Sequence, residues 1–317
     1  MAFPKAFEQT LLSWYKNSKR DLPWRKTTDP YRILVSEVML QQTQVDRVIP
    51  KYAAFLRAFP TAGDLAKAKT GDVIKLWSGL GYNRRAVKLQ ECARAVVEQH
   101  HGVFPQSVDE LKKLPGIGPY TAAAVMAFAF NKPEVVVDTN VRRVFFRIGI
   151  GEEKDSLHDD IQSLVAGNVS QMHSREYHNA LMDFGATICT ARAPKCESCV
   201  FQNGCVSTKK YTKQQMEDMA SRIFKTTQTK FEGSNRYYRS LILKEVQKKR
   251  SVLIDELAAV LPTQMQLNLS PMPPASITSI STINQHNHRR EWAEDLVAQL
   301  KRDKLVVERN GRIALPS

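Results

Sequence analysis

Phe7, Leu11, Leu12 and Tyr15 fall on one helical face, and the stretch from Arg20 to Arg25 ends that helix in a loop. Asp29-Pro30 then supplies a cap and a first-turn proline for a helix over Tyr31 to about Leu40. That helix is apolar through Ile33, Leu34, Val35, Val38 and Met39, yet carries Glu37 among them. Thr43 can cap an amphipathic helix from Gln44 to Ala58, Phe59-Pro60-Thr61 starts a short one, and Asn83-Arg84-Arg85 opens a long one to His101. Leu76 to Tyr82 reads as a glycine-punctuated loop. Pro115 cannot continue the helix of Val108 to Lys113, and Gly116 and Gly118 admit backbone angles that other residues resist. Leu114 to Gly118 is therefore a predicted tight hairpin, with Pro119 in the first turn of an apolar helix to Phe130. Before residue 206 the β-rich run Val135 to Val137 is too short to make a sheet, so this part is predicted all-α.

After Ser207 the pattern changes. A lysine-rich, polar helix runs to about Phe224, and Thr226 to Ser234 reads as linker. Helices follow from Ser234 to Gln247, Ile254 to Leu261 and Arg289 to Asp303. A hairpin of Leu305 to Glu308 with Arg312 to Leu315 then turns at Asn310-Gly311, which favours a type I′ turn. Three helices and a hairpin predict a small α+β, winged-helix-like domain. Pro262 to His288, rich in Pro, Ser, Thr and Asn, is predicted mobile.

A chain of 317 residues with 43% hydrophobic content can form two or three domains with real cores. A formal charge of +14 and a pI near 9.6 favour a polyanionic partner, nucleic acid first. The first residues show no signal-peptide core and no later run has the length of a membrane span, so a cytoplasmic, nucleoid-associated protein is expected.

Several residues carry candidate chemistry. A phosphate can approach the hairpin N–H groups at Gly116 and Gly118 and the positive end of the following helix. That helix descends about 18 Å at 1.5 Å per residue, and seven extended residues can return roughly 23 Å. Asp138 can thus reach the hairpin mouth near Tyr120; the plainer alternative is an ordinary corner with Asp138 merely capping the next helix. Glu37, if buried, would hold its proton to higher pH; the alternative is a boundary residue paired with an arginine. Tyr82, followed by Arg84 and Arg85, can wedge into a base stack or simply pack under its loop. Four of five cysteines, Cys189, Cys196, Cys199 and Cys205, are spaced C-x6-C-x2-C-x5-C, a metal site for zinc or an iron-sulfur cluster; Cys92 lies apart as a core thiol.

Five separated motifs, LPWR (22–25), SEVMLQQTQV (36–45), GLGY (79–82), LPGIGPYT with VDTNV, and the four cysteines following Asp183-Phe184-Gly185-Ala186, resemble the helix-hairpin-helix DNA glycosylases, in particular those of the MutY type. The resemblance spans roughly residues 5 to 206. It implies a bilobed all-α glycosylase with a six-helix lobe at 29–130, a cluster lobe from 1–28 and 131–206, and DNA in the cleft between the lobes; the residue pattern itself adds a linker at 207–233 and the winged-helix-like domain at 234–317. The resemblance also implies a [4Fe-4S] cluster on the four cysteines and excision of adenine mispaired with 8-oxoguanine or guanine from double-stranded DNA by a monomer. Glu37 would be the general acid and Asp138 the stabiliser of the sugar cation, with Tyr120 and Asn140 beside the sugar. Trp24, Arg25 and Asp183 would line the base pocket, and Gln42 and Tyr82 would fill the duplex. Lyase-competent relatives carry lysine where this chain has Tyr120. Alternatives are a thymine mismatch or endonuclease III-like glycosylase/lyase, or a non-catalytic iron-sulfur DNA-binding regulator. The tail departs from the family, because the longer β-rich, Nudix-like domain of many MutY-type enzymes is not recognisable in it. Lys301, Arg302, Lys304, Arg309 and Arg312 would instead let the tail grip phosphate, unless that domain only packs against the rest.

Overall fold

The computed structural model describes residues 6–151, 158–212, 214–216, 218, 231–262 and 282–317. The later part of the polar helix to Phe224, most of the Thr226 to Ser234 linker, and residues 263–281 of the Pro/Ser-rich stretch lie outside these. The described elements are, in order, α1 (Phe7–Ser18), α2 (Pro30–Leu40), α3 (Val45–Ala58), α4 (Ala62–Lys67), α5 (Thr70–Trp77), α6 (Arg84–His100), α7 (Val108–Lys113), α8 (Pro119–Phe130), α9 (Thr139–Phe145), α10 (His158–Ala166), α11 (Ser174–Thr187), α12 (Val206–Lys210), α13 (Asn235–Lys249), β1 (Ser251–Leu253), α14 (Ile254–Ala259), α15 (Thr282–Arg302), β2 (Val307–Arg309) and β3 (Arg312–Ala314). No helix among the described residues is long and apolar enough to cross a membrane. The chain divides into two compact units, Met1–Ala53 with Glu98–Thr226, and Ala54–Val97 with Thr227–Ser317.

In the first unit, α2 lies on α8, and both are apolar for most of their circumference. The alanines of α8, buried from Ala122 to Ala129, let the two backbones approach closely. Gly116 sits at φ 80, in the left-handed region the hairpin turn requires. Gly118 does not: its φ is −93, and a side chain there would meet nothing within 4 Å. The expectation that both glycines serve the backbone is thus corrected, and at Gly118 the missing side chain leaves open space instead. A second core joins Phe7 and Leu11 of α1 to Val144 and Phe145 of α9 and to Tyr177, Leu181 and Phe184 of α11. Phe7 stacks on Phe201 at 4.6 Å between ring centroids, which ties the cysteine segment to the N-terminal helix.

In the second unit the tail folds as α13-β1-α14-α15-β2-β3 with antiparallel strand order β1-β3-β2, a winged-helix topology. The short strand β1 is not recognisable from sequence, because three residues cannot show an alternation and their partners, Arg312 to Ala314, are distant in the chain. The helix predicted from Arg289 begins at Thr282, so Thr282 to His288 is not loop. Once the packed part of α15 is formed, each added residue costs little, and nothing in TINQHNH breaks a helix. The domain core of Ile242, Val246, Leu257, Leu296, Leu300 and Ile313 is continuous with Ile74 of α5 and Val87 of α6. Gly71 N–H donates to Pro316 O at 2.8 Å, and a Cβ at Gly71 would stand 2.7 Å from that oxygen. Gly71→Ala should therefore push the C-terminal segment off α5 and cost about 1–3 kcal/mol, as overpacking commonly does. Urea denaturation checks this; an unchanged midpoint would mean the contact is dispensable.

Candidate active site and cysteine loop

A cleft of about 550 Å³ in the first unit is lined by Trp24, Arg25, Glu37, Tyr120, Asp138 and Asn140 among others. Asp29 caps α2 by accepting from Tyr31 N–H, and two turns on, Glu37 points into the cleft only 8% exposed. The Tyr120 hydroxyl, at the start of α8, donates to Glu37 Oε2 at 3.3 Å. Burial pushes the Glu37 carboxyl up to about 7; the charge of Asp138 adds to this, while the Tyr120 hydrogen bond and Arg25 oppose it. Near neutral pH this side chain is thus poised to carry a proton.

Asp138 caps α9. Its Oδ1 accepts from Val141 N–H at 2.7 Å and its Oδ2 from Asn140 Nδ2 at 2.8 Å. The return of the chain from Asn131 thus brings Asp138 into the same cleft as Tyr120. Asn140 is held in turn by Arg143, whose guanidinium donates to Asn140 Oδ1 (2.8 Å), Gly185 O (2.6 Å) and Cys189 O (2.7 Å). A Cβ on Gly185 would lie 2.6 Å from that of Asn140, so glycine there lets α11 close onto α9.

Asp183 lies elsewhere than the cleft wall. It is wholly buried and holds Arg25 through two bonds (2.5 and 2.7 Å) and Arg20 through two more (2.5 and 3.0 Å), so it acts on the cleft by fixing Arg25. Trp24 is in the wall, edge-on to Tyr52 at 5.6 Å. Gln42 is exposed beyond the end of α2, and the neighbouring Gln41 is the glutamine that lines the cleft. Tyr82 belongs to the second unit, 41% exposed on its glycine loop. Sequence reasoning missed Arg20, Arg143 and Arg147. The signal for Arg143 was an arginine on the buried face of α9, where a charge persists only with partners.

Cys189, Cys196, Cys199 and Cys205 form no disulfide among the described residues. Burial pushes Cys199 up to about 12, with Cys189, Cys205 and Cys196 adding to the shift. Phe201 N–H donates to Cys199 Sγ at 3.4 Å, and Arg147 lies 3.8 Å from Cys189 Sγ while donating to the carbonyls of Thr190 and Ala191. Among the described residues no group of three or more His, Cys, Asp or Glu is drawn together closely enough for one metal ion. Four thiols in one segment are a donor set that an iron-sulfur cluster accepts.

Residues 35–166 match the HhH-GPD superfamily of base excision DNA repair proteins, and residues 189–205 match the iron-sulfur binding domain of endonuclease III. The chain belongs to the HhH-GPD superfamily and carries its [4Fe-4S] cluster domain. Adenine DNA glycosylase of Mycobacterium tuberculosis (strain CDC 1551 / Oshkosh) is 43% identical over 199 residues, 61% of this chain and 64% of the relative. Adenine DNA glycosylase of Homo sapiens is 40% identical over 223 residues, 67% of this chain and 41% of the relative. The chain thus spans less than two thirds of the length of either. A solved thermostable thymine-DNA glycosylase superposes with a TM-score of 0.62 at 36% identity, over 65% of this chain and 97% of that one. A non-covalent endonuclease III-DNA complex shares the fold at a TM-score of 0.56 and 24% identity, over 64% of this chain and 94% of that one.

Two outcomes are expected. Glu37 rises from an ordinary 4.5 to about 7, so between these values the folded chain keeps a proton that the unfolded chain has lost. Measured against Glu37→Gln, wild-type stability should fall as pH climbs through that window, by about 1.4 kcal/mol per unit and roughly 3 kcal/mol in all, then level off. Parallel pH-dependent urea titrations check this, and a pH-independent difference would contradict the burial. Cys199→Ser should yield colourless, poorly folded protein with less than full iron, because losing one ligand loosens the loop it shapes. Visible absorbance and iron analysis decide, and full iron content in the variant would exclude Cys199 as a ligand.

Proposed function

We propose that this protein is a monofunctional adenine DNA glycosylase that removes adenine mispaired with 8-oxoguanine or guanine from double-stranded DNA. The observation that carries the reading is a buried carboxyl, Glu37, which burial pushes up to about 7, in one cleft with a second carboxyl, Asp138. An extrahelical adenine leaves poorly unless a ring nitrogen is protonated as the C1′–N bond stretches, and Glu37 supplies that proton. Positive charge then grows on the sugar, and Asp138, aimed by Val141 N–H and Asn140, stabilises it electrostatically. Water adds at C1′ and gives its proton to a carboxylate of the site, which leaves an abasic strand. Trp24 and Arg25 would bound the base, Gly116 and Gly118 would meet a phosphate, and Tyr82 with Gln42 would occupy the duplex.

Cys189, Cys196, Cys199 and Cys205 would hold the cluster, whose contribution is to shape a rigid basic loop with Arg192 and Lys195. Tyr120 stands where lyase-competent relatives have lysine, and a phenol cannot form a Schiff base with the sugar.

The test is single-turnover base release from duplexes pairing A with 8-oxoguanine, A with G and T with G. Both adenine duplexes should be processed, with strands left intact and no protein trapped on DNA by borohydride. Glu37→Gln should lose about 10²–10⁴-fold in rate with DNA affinity within a few-fold. Asp138→Asn should also stop release. Preference for T opposite G, in line with the name of the solved thymine-DNA glycosylase, would overturn the reading, as would a loss under tenfold in Glu37→Gln.

A further inference from the structure

The tip of the glycine loop in the second unit is built as a ladder of alternating rings and guanidinium groups. Arg85, half-way into the protein, lies 5.4 Å from the centroid of Trp77 and 5.6 Å from that of Tyr82. Its guanidinium also donates to the carbonyls of Leu80 (3.2 Å) and Gly81 (3.1 Å), and the Trp77 indole N–H donates to Gly81 O at 3.2 Å. Tyr82 itself sits at φ 45, preceded by Gly79 and Gly81 with positive φ, so backbone strain is held at the residue that presents this one ring. The last rung comes from the C-terminal domain. Arg236, in the first turn of α13, places its guanidinium 5.7 Å from the Tyr82 ring centroid and donates to the phenol oxygen at 2.6 Å.

Arg236 stands on a firm base. Two residues on, Tyr238 is buried against Trp292 at 4.6 Å, and Arg239 pairs with Asp303, which also meets Arg84 of α6 at 3.7 Å. Lys304 reaches Glu91 of α6 at 2.6 Å. On the surfaces by which winged helices usually hold duplex DNA, several cations have partners within the unit. The exposed face of α15 mixes Glu291, Glu294 and Asp295 with Arg290 and Arg302. Lys301 pairs with Glu308 and Arg312 with Glu256, and Arg309 donates to Ser317.

We propose that Arg236 is a positioning residue through which the C-terminal domain fixes the orientation of Tyr82 for entry into the base stack. This rests on the reading of Tyr82 as a residue that fills the duplex. The phenol and the ring face are both engaged by Arg236, so the wedge is pre-oriented before DNA arrives and less ordering remains to be done on binding. The domain then acts on the reaction without gripping the groove itself.

The test uses the full chain with its cluster and a duplex bearing 2-aminopurine beside the target adenine opposite 8-oxoguanine. Fluorescence reports unstacking, and single-turnover release and duplex affinity are read in parallel. Arg236→Ala should lower the fluorescence rise and the release rate roughly tenfold, the worth of one charge-assisted hydrogen bond, with unchanged thermal melting. Arg236→Lys should recover most of the loss, and Tyr82→Phe, which removes only the acceptor oxygen, should reproduce part of it. In a Tyr82→Ala background, Arg236→Ala should add nothing. Full additivity in the double variant would mean that Arg236 contacts DNA on its own and would overturn the proposal. If Tyr82→Ala is impaired while Arg236→Ala behaves as wild type, the proposal falls and the wedge reading stands. If Tyr82→Ala itself behaves as wild type, the wedge reading and the proposal fall together, while adenine release by Glu37 is untouched.

Discussion

The candidate chemistry depends on a carboxyl withdrawn from water. Glu37 occupies a helix rich in aliphatic residues, and the alanine-rich α8 closes against that helix to exclude solvent. An ionised carboxylate would be expensive in such a place, so the group meets the cost by keeping its proton and accepting the Tyr120 hydroxyl. Asp138 enters the same cleft under opposite conditions, with both oxygens engaged by N–H donors at a helix start. Two carboxyls in unlike surroundings are what a reaction needing both an acid and a counter-charge requires.

The cysteine segment is tied to that cleft by two buried arginines. Arg143 joins Asn140, Gly185 and the carbonyl of Cys189, and Arg147, one turn further on, holds the carbonyls of Thr190 and Ala191. Buried guanidinium groups tolerate this position because their donors find carbonyl and amide oxygens, four of them around Arg143. The loop that binds the cluster therefore sets the end of α11 and the start of α9, and with them the aim of Asp138.

In the second unit the C-terminal domain shares one core with Ile74 and Val87, and Gly71 has no room for a side chain beneath Pro316. Lys301, Lys304 and Arg312 are engaged in ion pairs within the unit, and Arg236 donates to the Tyr82 phenol oxygen.

Much of this was legible in the chain. Helical periodicity, proline at first turns and the hairpin glycines located the helices around Glu37 and Asp138, because those signals act within a few residues of themselves. Cysteine spacing announced a metal site, and the motif order announced the family. Three kinds of feature were not legible. The strand β1 exists only because β3 lies beside it, α15 extends to Thr282 because its other end is packed, and Asp183 fixes Arg25 from behind the cleft wall where it had been expected to line it. Arg143, Arg147 and Arg236 each find their partners between 3 and 154 residues away. Local sequence determines which backbone segments form and which residue types stand ready; long-range packing decides which polar groups lose water, and that loss determines what their partners and protons must be.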